Sequence, residues 1–142
     1  MRIVVPVDGS APANHAVTYA VSLTTGRPDA VIILVNVQSR ETLDVSDIAA
    51  VVTADADREA AARQSGKALR RAIGLCRKAE VRFETRPELG PIAETIVKIA
   101  RQVKADQIVM GTRGLSALRG LILGSVATRV VQLARVPVTL VK

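Results

Sequence analysis

Aromatic side chains are nearly missing from this sequence. It has no tryptophan, and Tyr19 and Phe83 are its single tyrosine and phenylalanine. Proteins that read single-stranded nucleic acid stack bases on aromatic platforms, so the shortage argues against that class. It also means that the core must be packed with Val, Ile, Leu and Ala. Cys76 is the only cysteine, which excludes an intrachain disulfide and a cysteine-cluster metal site. It falls in a helical apolar row and reads as a small core residue. His15 is the only histidine, so no His–Cys or His–Glu set has metal-ligand spacing. Early in a helix, it reads as structural. No apolar run reaches the ~18 residues of a membrane span. Strand-like sequence begins at Arg2, ahead of any leader-like pattern, and a reduced, cytoplasmic setting is the expectation.

What is present points to a packed α/β protein. The chain has 142 residues, 49% of them hydrophobic, enough for a sizeable core, and one domain over 1–142 is expected. A core rich in Val and Ile suits parallel strands covered by helices on both faces. The formal net charge is +7 and the pI is near 10.5. That balance fits a solvated basic surface, and it also fits a polyanionic partner.

Along the chain, Ile3–Val7 is a buried-strand run broken by Asp8-Gly9-Ser10. Ser10 is a good N-cap and Pro12 suits a first helical turn. Ala13, Ala16, Val17, Ala20 and Leu23 carry a helix to about Thr25, which Gly26-Arg27-Pro28 ends. Residues 30–37 (AVIILVNV) form a central strand. Gln38 to about Asp57 reads as a loop, with Ile48, Val51 and Val52 spaced for a short helix. A long helix follows from about Asp55 to Ala79. Val81–Arg86 suits an edge strand, Leu89-Gly90-Pro91 a turn, and Ile92, Ile96, Ile99 and Val103 a helix. The strand Gln107–Met110, a glycine segment, a helix from Ser125 and the strand Val136–Val141 complete the chain. Strict alternation of strand and helix predicts a parallel, doubly wound three-layer α/β/α sheet of five strands. Ligands of such sheets bind beyond the carboxyl ends of strands, where strand order reverses.

The glycine segment carries the most chemistry. Gly111 and Gly114 have two residues between them, and nine more lead to Gly124-Ser125. Glycine lets backbone approach a ligand closely, and a helix start offers unpaired N–H groups to an anion. There is no lysine of a G-K-[ST] loop, and no G-x-G-x-x-G. On spacing alone the segment fits either a flexible loop or a phosphate cradle.

With its context, the segment resembles the universal stress protein family over essentially the whole chain. The likeness rests on Val7-Asp8-Gly9-Ser10, on Leu34-Val35-Asn36-Val37, on the G-x2-G-x9-G-[S/T] signature at Gly111, Gly114 and Gly124-Ser125, and on Val136-Pro137-Val138. In that family the signature marks members that bind ATP. The resemblance implies a Rossmann-like, adenine nucleotide alpha hydrolase-like sheet of strand order 3-2-1-4-5. It implies that Pro6, Val7 and Asp8 flank the adenosine and that Val37 offers backbone groups to adenine. Met110, Gly111, Thr112, Arg113 and Gly114 would line ribose and phosphates. Gly124, Ser125 and Val126 would bind phosphate, accompanied by Mg2+ or Mn2+ held by the phosphates themselves. ADP or AMP are further candidate ligands. It also implies a stress-response role and a homodimer paired through Val136–Val141. Asn36 stands where many members carry His.

Arg113, Arg119 and Arg129 belong to the same segment and could add positive potential. No gripping Lys, metal-holding carboxylate and positioned nucleophile occur as a set, so no catalytic residue is assigned. The alternative is slow ATP hydrolysis using Asp8. A second alternative is an adaptor whose basic helix, Arg58 to Lys78, docks an acidic protein, such as a transporter, in a nucleotide-dependent way. No helix-turn-helix pattern appears, and a nucleic-acid partner is not expected.

Overall fold

The computed structural model of the chain describes residues 1–39, 54–114 and 123–142. The proposed short helix around Ile48–Val52, and Arg119, lie outside them. The described elements are β1 (Arg2–Pro6), α1 (Ala11–Thr24), β2 (Val31–Gln38), α2 (Ala54–Lys78), β3 (Phe83–Leu89), α3 (Ile92–Gln102), β4 (Gln107–Gly111), α4 (Ser125–Leu133) and β5 (Val138–Val141). The strands form one parallel sheet of order β3-β2-β1-β4-β5, as expected.

The period-two alternation of strand side chains explains how both sheet faces are covered. Ile3, Val5, Val7, Ile32 and Leu34 point to one face and pack with Ala16, Val17 and Ala20 of α1 and Leu69, Ala72 and Cys76 of α2. Val4, Ile33, Val35 and Val37 point to the other face, against Ile96, Val97 and Ile99 of α3 and Val130 of α4. Ile3, Val4, Val5, Ile32, Leu34 and Ile108 are fully buried. At ~25 cal/mol per Å² of apolar area removed from water, these strands are the main source of stability. Burial pushes the Cys76 thiol up to about 11, so it stays protonated and unreactive at neutral pH.

Local rules place the element ends. Ser10 caps α1, its Oγ accepting from Ala13 N at 3.3 Å. Gly26, with φ +76°, turns the chain after α1. β3 runs three residues past the expected end at Arg86. Its pairing with β2 continues through Asn36↔Pro87, Val37↔Glu88 and Gln38↔Leu89. As an edge strand it can hold Pro87, whose missing N–H costs no ladder bond on the open side. β5 starts at Val138 rather than Val136. Pro137 has no N–H, and contributes only its carbonyl, to Ile108 N at 2.9 Å.

The reversal of strand order falls between β1 and β4, which are neighbours although α1, β2, α2, β3 and α3 separate them in the chain. The loops leaving these two strands therefore diverge and leave a crevice at their carboxyl ends.

Candidate functional site

The first wall of the crevice is the turn after β1. Asp8 Oδ1 accepts from Ser10 N at 2.9 Å, an Asx-type turn that leads directly into the capped α1. Gly9 has φ +86°, a conformation that only glycine adopts without strain. A Cβ there would sit 3.5 Å from Ala68 Cα of α2, so the turn is pressed against that helix.

The second wall is the glycine segment after β4. A Cβ on Gly111 would meet the Pro12 carbonyl carbon at 2.8 Å and Ala13 N at 3.0 Å. The end of β4 thus runs directly beneath the first turn of α1. A Cβ on Gly114 would lie 2.5 Å from Asp8 Oδ2. Gly114 is therefore the point where the two loops meet. Thr112 fastens the segment at both ends: its N–H donates to Val141 O at 2.9 Å and its carbonyl accepts from Gly124 N at 2.8 Å. That last bond brings the two halves of the signature together, across the nine residues between Gly114 and Gly124.

Gly124 is the N-cap of α4, and no described side chain caps that helix. The N–H groups of its first turn carry the positive end of the helix dipole. Ser125, the first helical residue, is exposed beside them.

These walls enclose a cavity of about 720 Å³, within the ordinary range for small-molecule sites. Pro6, Val7, Asp8, Val37, Met110, Gly111, Arg113, Gly114, Gly124, Ser125 and Val126 all line it. Thr112, the remaining candidate, is buried and lies behind the wall, acting through its backbone bonds. One side of the cavity is apolar: Val37, Ile96 and Met110 come from the core cluster over α3, with Ile92 and Val126 packed on it. The other side is polar and, among the described residues, carries Asp8, Lys67 and Arg113 as its ionisable groups.

Several lining residues were not assigned to the site from the sequence: Gln38 at the end of β2, and Gln64, Lys67 and Ala68 on α2; Asn36, which stands where many family members carry His, lines it as well. The only signal for the α2 set was helical phase, since positions 64, 67 and 68 share a face. Asn36 is the centre of a buried network. Its Nδ2 donates to Val7 O at 2.6 Å. Its Oδ1 accepts from Gln38 Nε2 and from Ser65 Oγ, both at 2.7 Å.

Other candidates fall elsewhere. Arg129 pairs with Glu94 at 3.1 Å on the surface between α3 and α4. Glu94 is held below the usual carboxylate range by a backbone hydrogen bond in the first turn of α3, and then by Arg129. His15 stands outside the cavity, with Nδ1 3.1 Å from Lys142 O. Among the described residues no group of three or more His, Cys, Asp or Glu could hold a metal ion, and no helix is long and apolar enough to cross a membrane.

Fold and crevice together define a doubly wound α/β protein with a ligand cleft at the switch point of its sheet. Within that class, the chain belongs to the universal stress protein family, whose family model matches residues 1–142. It is 32% identical over 144 residues to universal stress protein MJ0531 of Methanocaldococcus jannaschii, covering 99% of this chain and 81% of that protein. Among solved structures it is similar to the universal stress protein from Archaeoglobus fulgidus in complex with dAMP. That match has 25% identity and a TM-score of 0.65, over 100% of this chain and 98% of the other. A universal stress protein in complex with cAMP is 27% identical, with a TM-score of 0.69, over 99% of this chain and 95% of the other.

Proposed function

We propose that this chain is an ATP-binding universal stress protein, a cytoplasmic regulatory protein that acts by holding a nucleotide rather than by turning it over quickly. The observation that carries the reading is the junction of Gly114 with Asp8, beside the start of α4 with no described side-chain cap. It presents backbone N–H groups to an anion at the polar end of a cavity whose other side is apolar and suits a base. Two solved relatives bound to dAMP and cAMP support an adenine nucleotide as the ligand. In this reading Pro6, Val7, Asp8 and Val37 contact the adenosine. Met110, Gly111, Arg113, Gly114, Gly124, Ser125 and Val126 contact ribose and phosphates, and Thr112 holds the loop.

Asp8 is the only carboxylate lining the cavity among the described residues. A Mg2+ or Mn2+ ion would therefore take its ligands mainly from the phosphates. A single carboxylate in the described lining fits slow hydrolysis at most.

Three or four charge-assisted bonds to phosphate, each contributing ~1.5–3 kcal/mol, together with burial of the base against the apolar side, offset the cost of association, and binding in the micromolar range is expected. Calorimetry of purified protein with ATP, ADP and AMP in Mg2+ is expected to show it. Affinities all weaker than millimolar would end the reading. Release of ADP in single turnover, lost in Asp8→Asn, would move the assignment to a slow ATPase.

The same reading includes a homodimer through Val136–Val141. β5 is a sheet edge and Leu140 is exposed, and an uncovered apolar edge is a pairing site. Light scattering is expected to give twice the chain mass. A monomer at all concentrations would remove the dimer and leave nucleotide binding untouched.

A further inference from the structure

The glycine segment has no lysine at the position where a G-K-[ST] loop places its phosphate grip. The fold brings one to the same cavity from another element. Lys67 lies on α2, far from the segment in sequence, and lines the cavity with Gln64 one turn before it.

Two contacts fix where along the cavity Lys67 stands. Ser65 Oγ bonds Asn36 Oδ1 at 2.7 Å, which ties that turn of α2 to the end of β2. Ala68 lies against Gly9, its Cα 3.5 Å from where a Cβ on Gly9 would be. As α2 advances it passes from the β2 end of the cavity to the β1 turn. Lys67 immediately precedes Ala68, the residue seated on the β1 turn, and Asp8 of that turn is the residue that Gly114 abuts. Lys67 and the glycine segment thus line the same cavity, with the β1 turn in contact with both α2 and Gly114.

Charge supports the same placement. Asp8 puts a carboxylate on the cavity wall beside Gly114, so a phosphate chain extending past it needs cations around it. Arg113 supplies one from the segment itself. On α2 there is no acidic residue between Glu59 and Glu80, whereas Arg63, Lys67, Arg70, Arg71, Arg77 and Lys78 fall in that interval. No Asp or Glu stands three or four positions from Lys67, so its own helix offers no ion-pair partner.

We propose that Lys67 is a phosphate-binding residue that closes the oligophosphate subsite from the α2 side, opposite Gly114 and Arg113. This deepens the nucleotide-binding reading and rests on it for the identity of the base. The subsite itself takes a di- or triphosphate chain, because one cation on each wall can bind successive phosphoryl groups.

The test measures wild type, Lys67→Gln and Lys67→Arg by calorimetry against ATP, AMP, adenosine and inorganic tripolyphosphate. Lys67 is exposed, so the variants should fold, and unchanged thermal melting without ligand checks this. Loss of one charge-assisted contact lowers affinity about tenfold or more. Lys67→Gln is expected to lose that much for ATP and tripolyphosphate, less for AMP, and under twofold for adenosine. Lys67→Arg should keep most of the affinity. The salt dependence of ATP binding should also be shallower in Lys67→Gln. Equal losses for ATP and adenosine, or no loss for either, overturn the proposal while leaving nucleotide binding in place. A wild type that binds tripolyphosphate in a Lys67-dependent way but none of the adenine ligands keeps the subsite and removes the nucleotide reading. Binding of neither class removes both.

Discussion

Gly114→Ala is expected to lower ATP affinity by about 10- to 100-fold while the protein stays folded. The added methyl would lie 2.5 Å from Asp8 Oδ2, far inside van der Waals contact. Asp8 cannot swing away freely, because its Oδ1 holds Ser10 N at 2.9 Å and so sets the start of α1. Either the carboxylate turns and breaks that bond, or the segment lifts off the β1 turn. Each outcome displaces about one ligand contact of ~1.5–3 kcal/mol, which gives the stated range. The fold should survive because the obstacle is the end of a side chain at the rim of the crevice. Gly111→Ala makes the opposite comparison. Its methyl would strike backbone, the Pro12 carbonyl carbon at 2.8 Å and Ala13 N at 3.0 Å. That fault is overpacking, worth ~1–3 kcal/mol of stability. Calorimetry and thermal melting of both variants separate the two roles. ATP bound by Gly114→Ala as tightly as by wild type would show that the junction with Asp8 does not shape the ligand site.

The contrast between these glycines shows what was legible in the sequence. The order of elements followed from apolar period and punctuation, and the family resemblance added strand order 3-2-1-4-5. Gly111, Gly114, Gly124 and Asp8 could be chosen from spacing and resemblance, because a backbone cradle leaves its mark as glycine at fixed intervals. Which glycine serves packing and which serves the ligand could not be chosen, since both are the same letter. The resemblance puts Thr112 on the wall with its neighbours, whereas its backbone bonds to Val141 and Gly124 hold it behind the lining. The α2 wall was hidden more deeply. Gln64 and Lys67 sit in a helix whose polar positions all look like solvated face, and only the docking of Ala68 on Gly9 and of Ser65 on Asn36 reveals which of them border the cavity. Strand ends were misjudged where proline intervened. Pro87 does not stop an edge strand, while Pro137 delays one.

Asn36 carries the largest expected loss of stability. It continues the face of β2 that holds Ile32 and Leu34, toward α1 and α2, but at the point where the strand reaches the cavity. There Asn36, Gln38 and Ser65 are all buried, and a buried polar group is costly without its partner. The amide answers three of them at once: Val7 O through Nδ2, Gln38 Nε2 and Ser65 Oγ through Oδ1. Asn36→Ala removes all three bonds, and with ~1–3 kcal/mol for each of the two groups, Val7 O and Ser65 Oγ, that lose this partner, a loss of about 2–6 kcal/mol is expected in urea unfolding. Ser65→Ala removes one donor and leaves Oδ1 bonded to Gln38, so about 1 kcal/mol is expected. Asn36→Asp is the sharper probe. It replaces the Nδ2 donor by an oxygen facing Val7 O and places a charge where burial disfavours it. The introduced carboxyl should therefore have a folded-state pKa above its unfolded value of ~3.9. The folded state then binds the extra proton over the interval between these two values. Stability of this variant should rise as pH falls through the folded pKa and level off below the unfolded one. The protonated carboxyl can again donate to Val7 O, as the amide does. A variant whose unfolding midpoint is flat between pH 7 and 5, or falls relative to wild type, would mean that Asn36 does not hold the ends of β1 and β2 together through that donor. The site reading depends on this bond as well, because it ties Val7, just past the end of β1, to the residue before Val37 on β2, and Val7 and Val37 are both among the residues proposed to contact the adenosine.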